Sequence, residues 1–120
     1  MNGQKKALIV DDSMVMRAMI RDILTKGGFD VVGQAKNGKE AVEQYAMLSP
    51  DLVTMDIIMP GEHGTDVVKK IVDLDKDARI IIVSGLSQKN LVLQALENGA
   101  RAFLVKPFEN QELLDAARKI

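Results

Sequence analysis

Five polar residues of the kinds that bind cations or carry group transfer stand where apolar runs stop. Asp11 and Asp12 follow Ala7 to Val10, Asp56 follows Leu52 to Met55, Ser84 follows Ile80 to Val83, and Lys106 follows Ala102 to Val105. Apolar runs of this length read as buried strands, and in parallel α/β sheets ligands gather just beyond the strands' carboxyl ends. One such coincidence could be an acid capping a turn; four point to a shared site. Two carboxylates about 5 Å apart repel by roughly 3 kcal/mol at an effective dielectric near 20, so three of them need a counter-charge. Lys106 offers one. The remainder suits a hard divalent cation, and Mg²⁺ prefers one or two carboxylates with waters and phosphate oxygens to an all-protein cage. A structural salt-bridge network is the competing reading.

Acceptor, cation, hydroxyl and lysine are also the parts that phosphoryl transfer uses, because a carboxylate can attack phosphorus while cations neutralise the equatorial oxygens. Asp56 stands alone on its strand and is assigned as the nucleophile. Asp11 and Asp12 would then hold the metal, Ser84 would donate to one phosphoryl oxygen and Lys106 would contact another.

The elements that must position these residues follow from periodicity. After Asp11-Asp12, Ser13 can cap a helix whose buried stripe is Met16, Met19, Ile20, Ile23 and Leu24, with the methionines as core filler. Arg17, Arg21, Asp22 and Lys26 take its other face, and Gly27-Gly28 ends it. A strand over Val31 to Ala35 leads to Asn37 and Glu40, spaced as a capping box, and to a helix burying Ala41, Val42, Tyr45 and Leu48 before Ser49-Pro50. Beyond Asp56, Pro60-Gly61 and Gly64 mark a loop that contains the single histidine, His63, expected to be simply solvated. Val67, Val68, Ile71 and Val72 predict a third helix. Ser87 is the expected cap of a fourth, which carries Val92, Ala95 and Leu96 and ends at Gly99, and a last helix over Asn110 to Lys119 buries Leu113, Ala117 and Ile120. Five strands alternating with five helices predict one flavodoxin-like, doubly wound α/β domain over residues 1–120. In strand order 2-1-3-4-5 the switch point falls between the two strands that carry the acids.

Composition narrows the function. A chain of 120 residues with 47% hydrophobic and 28% charged residues is ordinary for one globular domain. Its formal net charge of −1, with Lys and Arg scattered among acids, offers no stripe for a phosphate backbone, so nucleic acid is not an expected direct ligand. No cysteine and one histidine exclude disulfides and thiolate or imidazole metal clusters. The amino terminus is too polar and its apolar run too short for a signal peptide or a membrane span, which predicts a cytoplasmic protein without membrane contact.

The motifs Leu8-Ile9-Val10-Asp11-Asp12, Met55-Asp56-Ile57-Ile58-Met59-Pro60, Ser84 after an isoleucine-rich strand, and Val105-Lys106-Pro107-Phe108 resemble the receiver domain of bacterial two-component response regulators. The likeness runs the whole chain in order and is greatest to the stand-alone chemotaxis regulators of the CheY type. It implies phosphorylation of Asp56 by a sensor histidine kinase, and Mg²⁺ bound by Asp11, Asp12, Asp56 and the backbone carbonyl of Ile58. A cis Lys106-Pro107 bond is implied as well. So is a switch in which Ser84 moves to the phosphoryl group and Phe103 turns into the space vacated, a burial worth roughly 1.5–3 kcal/mol. The better-known chemotaxis pattern has Tyr where this chain has Phe103, so a hydroxyl-mediated partner contact is not expected. The output implied is a changed affinity for a protein target, such as the flagellar motor switch, by a monomer whose phosphoryl group a phosphatase could remove.

Two alternatives stay open on sequence. One keeps the chemistry but makes the chain a phosphorelay intermediate or a receiver cut from a longer transcriptional regulator. The other is an enzyme, a phosphatase of the haloacid-dehalogenase kind. That class places Asp-x-Asp after its first strand, where this chain reads Asp11-Asp12-Ser13. The expectation is therefore of no turnover enzyme, only self-catalysed phosphoryl transfer and dephosphorylation.

Overall fold

The computed structural model describes residues 4–85 and 88–120. Strands β1 (Lys6–Val10), β2 (Asp30–Ala35), β3 (Leu52–Asp56), β4 (Ile80–Ser84) and β5 (Ala102–Val105) alternate with helices α1 (Met14–Lys26), α2 (Gly38–Leu48), α3 (Gly64–Leu74), α4 (Lys89–Glu97) and α5 (Asn110–Lys119). All strand pairs are parallel, and the order is β2-β1-β3-β4-β5, as the sequence predicts. β1 and β3 are neighbours, with Val10 opposite Met55, so Asp11 and Asp56 leave the sheet side by side.

Strand alternation divides the core in two. Leu8, Val10, Val53, Met55, Ile80 and Ile82 face α2, α3 and α4, whereas Ala7, Ile9, Leu52 and Ile81 face α1 and α5. β3 and β4 are buried along their whole length, which explains their near-continuous apolar sequence.

The helix ends follow their chemistry. Ser13 caps α1 by accepting from the Met16 amide at 3.2 Å. α1 ends at a Schellman turn in which the Phe29 amide bonds to the Leu24 carbonyl and the Gly28 amide to that of Thr25, with Gly28 at a φ of 93°. Gly99, at a φ of 120°, plays the same part after α4. Among the described residues no helix is long and apolar enough to cross a membrane.

Several expectations need correction. Met19 is 47% exposed and is not core filler; it stands at the rim of a stripe centred on Ile20, Ile23 and Leu24, and only Met16 packs against the core. Asn37 and Glu40 form half a capping box: Asn37 accepts from the Glu40 amide at 2.8 Å, but the Glu40 carboxylate takes the Lys36 amide instead of that of Asn37. The complete box lies at α5, between Glu109 and Glu112. Val42, Leu48, Leu96 and Ile120 are half-buried: Val42 and Leu96 flank the buried lines of their helices, whereas Leu48 is the last residue of α2 and Ile120 follows the end of α5. Ser87 lies outside the described residues, and Gln88 occupies the N-cap position of α4 without a side-chain cap. His63 is exposed, as expected, at the N-cap position of α3.

Candidate functional site

Strand pairing carries the acids to one point. One carboxylate oxygen from each of Asp11, Asp12 and Asp56 lies within 4.8 Å of the others. Asp11 is 1% exposed and Asp56 8%, while Asp12 faces solvent. Lys106, from the end of β5, sets its ammonium nitrogen 3.4 Å from Asp56 Oδ2 and 3.6 Å from Asp11 Oδ2. The Lys106–Pro107 bond is cis, as the resemblance implied.

Burial works against the charge that the cluster carries. The Asp56 carboxyl is pushed above its ordinary pKa chiefly by burial and further by neighbouring Asp11; the Ile58 amide, donating to Asp56 Oδ1 at 3.2 Å, and Lys106 pull the other way without cancelling it. Asp11 Oδ1 accepts from the Ser13 amide at 2.9 Å, but Asp11 Oδ2 is buried with no hydrogen bond among the described residues. A buried carboxylate oxygen left so, beside two more carboxylates and one ammonium, fits a hard divalent cation bound through oxygens. Asp11, Asp12 and Asp56 are the side chains that would hold it.

Ser84 ends β4 on the sheet face of Ile80 and Ile82, and its buried hydroxyl finds no hydrogen-bond partner among the described residues. It is a donor without an acceptor, near the site and held by strand pairing, with the Lys106 amide donating to its carbonyl at 2.7 Å. Phe103 is 48% exposed and lines, with Ser84, Val92, Leu96 and Val105, an apolar depression of about 300 Å³ between α4 and β5.

Sequence reasoning missed the surroundings of three residues. Arg17 was assigned to the solvent face of α1, yet it is half-buried and its Nη1 donates to the Asp11 carbonyl at 2.6 Å. No local pattern signals that contact, which joins a helix residue to the strand end before it. Thr54 lies in the middle of β3 with a buried hydroxyl that has no partner among the described residues. Gly64 closes the loop after Asp56, its amide donating to the Ile57 carbonyl at 3.0 Å.

A doubly wound sheet whose switch point presents three clustered carboxylates, a lysine and a buried hydroxyl defines the class of α/β domains with an acidic, cation-accepting cup. A family model of the response regulator receiver domain matches residues 7–118, and the chain belongs to that family, the receivers of two-component signalling. It is 47% identical to the chemotaxis protein CheY of Thermotoga maritima over 97% of both chains, and 50% identical to that of Bacillus subtilis over 95% of both. Among solved structures it resembles the CheX–CheY–BeF3–Mg complex from Borrelia burgdorferi, at 36% identity and a TM-score of 0.89, covering 94% of this chain and 86% of that one.

Proposed function

We propose that the chain is a phosphorylation-dependent signalling switch of chemotaxis: it accepts a phosphoryl group on Asp56 from a sensor histidine kinase, with Mg²⁺, and thereby changes its affinity for a partner protein. The observation that carries this reading is the convergence of Asp11, Asp12 and Asp56 within 4.8 Å beside Lys106. Mg²⁺ would be held by these three side chains and the Ile58 carbonyl, and when bound it supplies positive charge for the phosphoryl oxygens. An Asp56 oxygen forms the new P–O bond as the donor's P–N bond breaks, and the imidazole leaves with that electron pair. Lys106 and the Ile58 amide favour the ionised form of Asp56 against the burial that raises its proton affinity, and a bound Mg²⁺ would add to them. Lys106 then contacts one phosphoryl oxygen, and the unpartnered Ser84 hydroxyl is free to donate to another. Hydrolysis regenerates Asp56, so the chain acts on its own phosphoryl group and is not a turnover enzyme. A phosphatase acting on the acyl phosphate belongs to the same reading, and so does a protein target, the flagellar motor switch being the candidate.

The experiment is labelling by a small phosphodonor with Mg²⁺, read as intact mass. The parent should gain one phosphoryl group and Asp56→Asn none. Wild-type labelling of Asp56→Asn would overturn the assignment, and sustained turnover of a generic phosphate ester would favour the phosphatase alternative.

A further inference from the structure

The turn Asp11-Asp12-Ser13 supplies two of the three carboxylates, so whatever fixes that turn fixes the cup. Its polar groups are tied in sequence: the Asp11 amide to the Ala35 carbonyl at 3.0 Å, the Ser13 amide to Asp11 Oδ1 at 2.9 Å, and the Ser13 carbonyl to the Arg17 amide at 3.0 Å. The Asp11 carbonyl is taken by a side chain, Nη1 of Arg17, at 2.6 Å.

Arg17 is itself held. Its Nε donates to Gln34 Oε1 at 3.2 Å, from the edge strand β2, and the Gln34 carbonyl accepts from Gln44 Nε2 at 2.6 Å. Two donors of one planar guanidinium are thus fixed at once, which a lysine ammonium on its flexible stem cannot reproduce. Arg17 makes no ion pair among the described residues, so its contacts here are with a backbone carbonyl and a side-chain amide, not with a carboxylate.

We infer that Arg17, oriented by Gln34, is a positioning residue for the acidic cup: by holding the Asp11 carbonyl it keeps the Asp11 carboxylate aimed at the cation and so sets Mg²⁺ affinity. The inference rests on the proposed Mg²⁺-dependent reading of the site. Charge and position make opposite predictions for this residue. Removing a positive charge that contacts the turn carrying Asp11 strengthens divalent-cation binding on electrostatics alone. Releasing the turn weakens it, because supports of metal ligands typically contribute about 10–100-fold in affinity.

The test is Mg²⁺ binding by titration calorimetry on the full chain, with hydrogen exchange at the Ser13 amide as a metal-free readout. Arg17→Gln should raise the Mg²⁺ Kd about tenfold, the low end for such supports. Arg17→Lys should raise it too although the charge is kept, Gln34→Ala should raise it by less, and Ser13 exchange should quicken in all three. Tighter or unchanged binding in Arg17→Gln, with Arg17→Lys matching the parent, would overturn the inference. Should Arg17→Gln fail to fold, Arg17→Lys and Gln34→Ala decide on the same criteria. A parent chain that binds no Mg²⁺ would instead sink the reading of the site beneath.

Discussion

Gly64 lies so close to Ile57 that a Cβ on it would come within 2.7 Å of the Ile57 Cα and carbonyl oxygen, and within 2.9 Å of the Asp56 carbonyl oxygen. The loop that leaves Asp56 is therefore pinched shut at its base, with Ile58 and His63 bridged inside it. Gly64 opens α3, where helix propensity alone would make Gly→Ala stabilising by up to about 1 kcal/mol. The atoms in the way are backbone and cannot swing aside, so overpacking wins. Gly64→Ala should lower stability by about 1–3 kcal/mol in urea melts and weaken Mg²⁺ binding by displacing Asp56. A more stable variant with normal binding would show that the pinch is dispensable.

The strand order and the meeting of Asp11, Asp12, Asp56 and Lys106 were legible because period-two burial and short crossovers leave few topologies, and each functional residue sits at a strand end. What escaped depends on contacts between distant elements. Arg17 reads as a solvent-face residue on any helical wheel, and only the tertiary approach of the Asp11 carbonyl and the Gln34 side chain gives it partners. Met19 misleads for the opposite reason: methionine is apolar enough to count toward a stripe, but at the stripe's edge it stays 47% exposed. Glu40 turned from Asn37 to the Lys36 amide, a choice that sequence spacing does not encode.

Asp56 should leave a signature in the pH dependence of stability. Burial holds its pKa above the ordinary carboxylate value, so between that value and the raised one the folded chain binds more protons than the unfolded chain. Stability then falls as pH rises through that window. Asp56→Asn cannot ionise and should be more stable than the metal-free parent at neutral pH. Thermal melts between about pH 4 and pH 7 check this, and the advantage should close toward the acid end. An advantage independent of pH would mean that repacking, not charge, is responsible.

Asp12 is exposed and has no hydrogen bond or ion pair among the described residues, so its removal sacrifices no contact. Asp12→Ala should raise the metal-free melting temperature by roughly 2–4 °C, less in high salt, where repulsion between the carboxylates is screened. Mg²⁺ binding should weaken in the same variant. With saturating Mg²⁺ the order should reverse, because the ion stabilises the parent by mass action. A variant that melts lower without metal and binds Mg²⁺ normally would count against a repulsive, cation-seeking cluster.

The proposed switch makes Ser84 and Phe103 the residues that would shape the output surface. Both line the depression of about 300 Å³ between α4 and β5, and Ser84 has a hydroxyl without a partner among the described residues while Phe103 has half its surface in water. A phosphoryl group on Asp56 would add strong acceptor oxygens within the reach of a moving Ser84, and that movement would open the depression to the ring. Because Phe103 is already 48% exposed rather than fully so, turning inward gains about half of a whole phenylalanine's burial, or about 1 kcal/mol. That revises the larger sequence-based figure to a population shift of about fivefold from the ring alone, and hydrogen bonding by Ser84 must supply the rest of a sharper switch. Amide exchange with and without beryllium fluoride separates the two parts. The parent should change protection across β4, α4 and β5 as well as in the loop after Asp56. Ser84→Ala should confine the change to that loop, and Phe103→Ala should keep the response at Ser84 while losing it in β5. Changes confined to the Asp56 loop in the parent would sink the switch and leave a rigid domain whose partner reads the phosphoryl group directly.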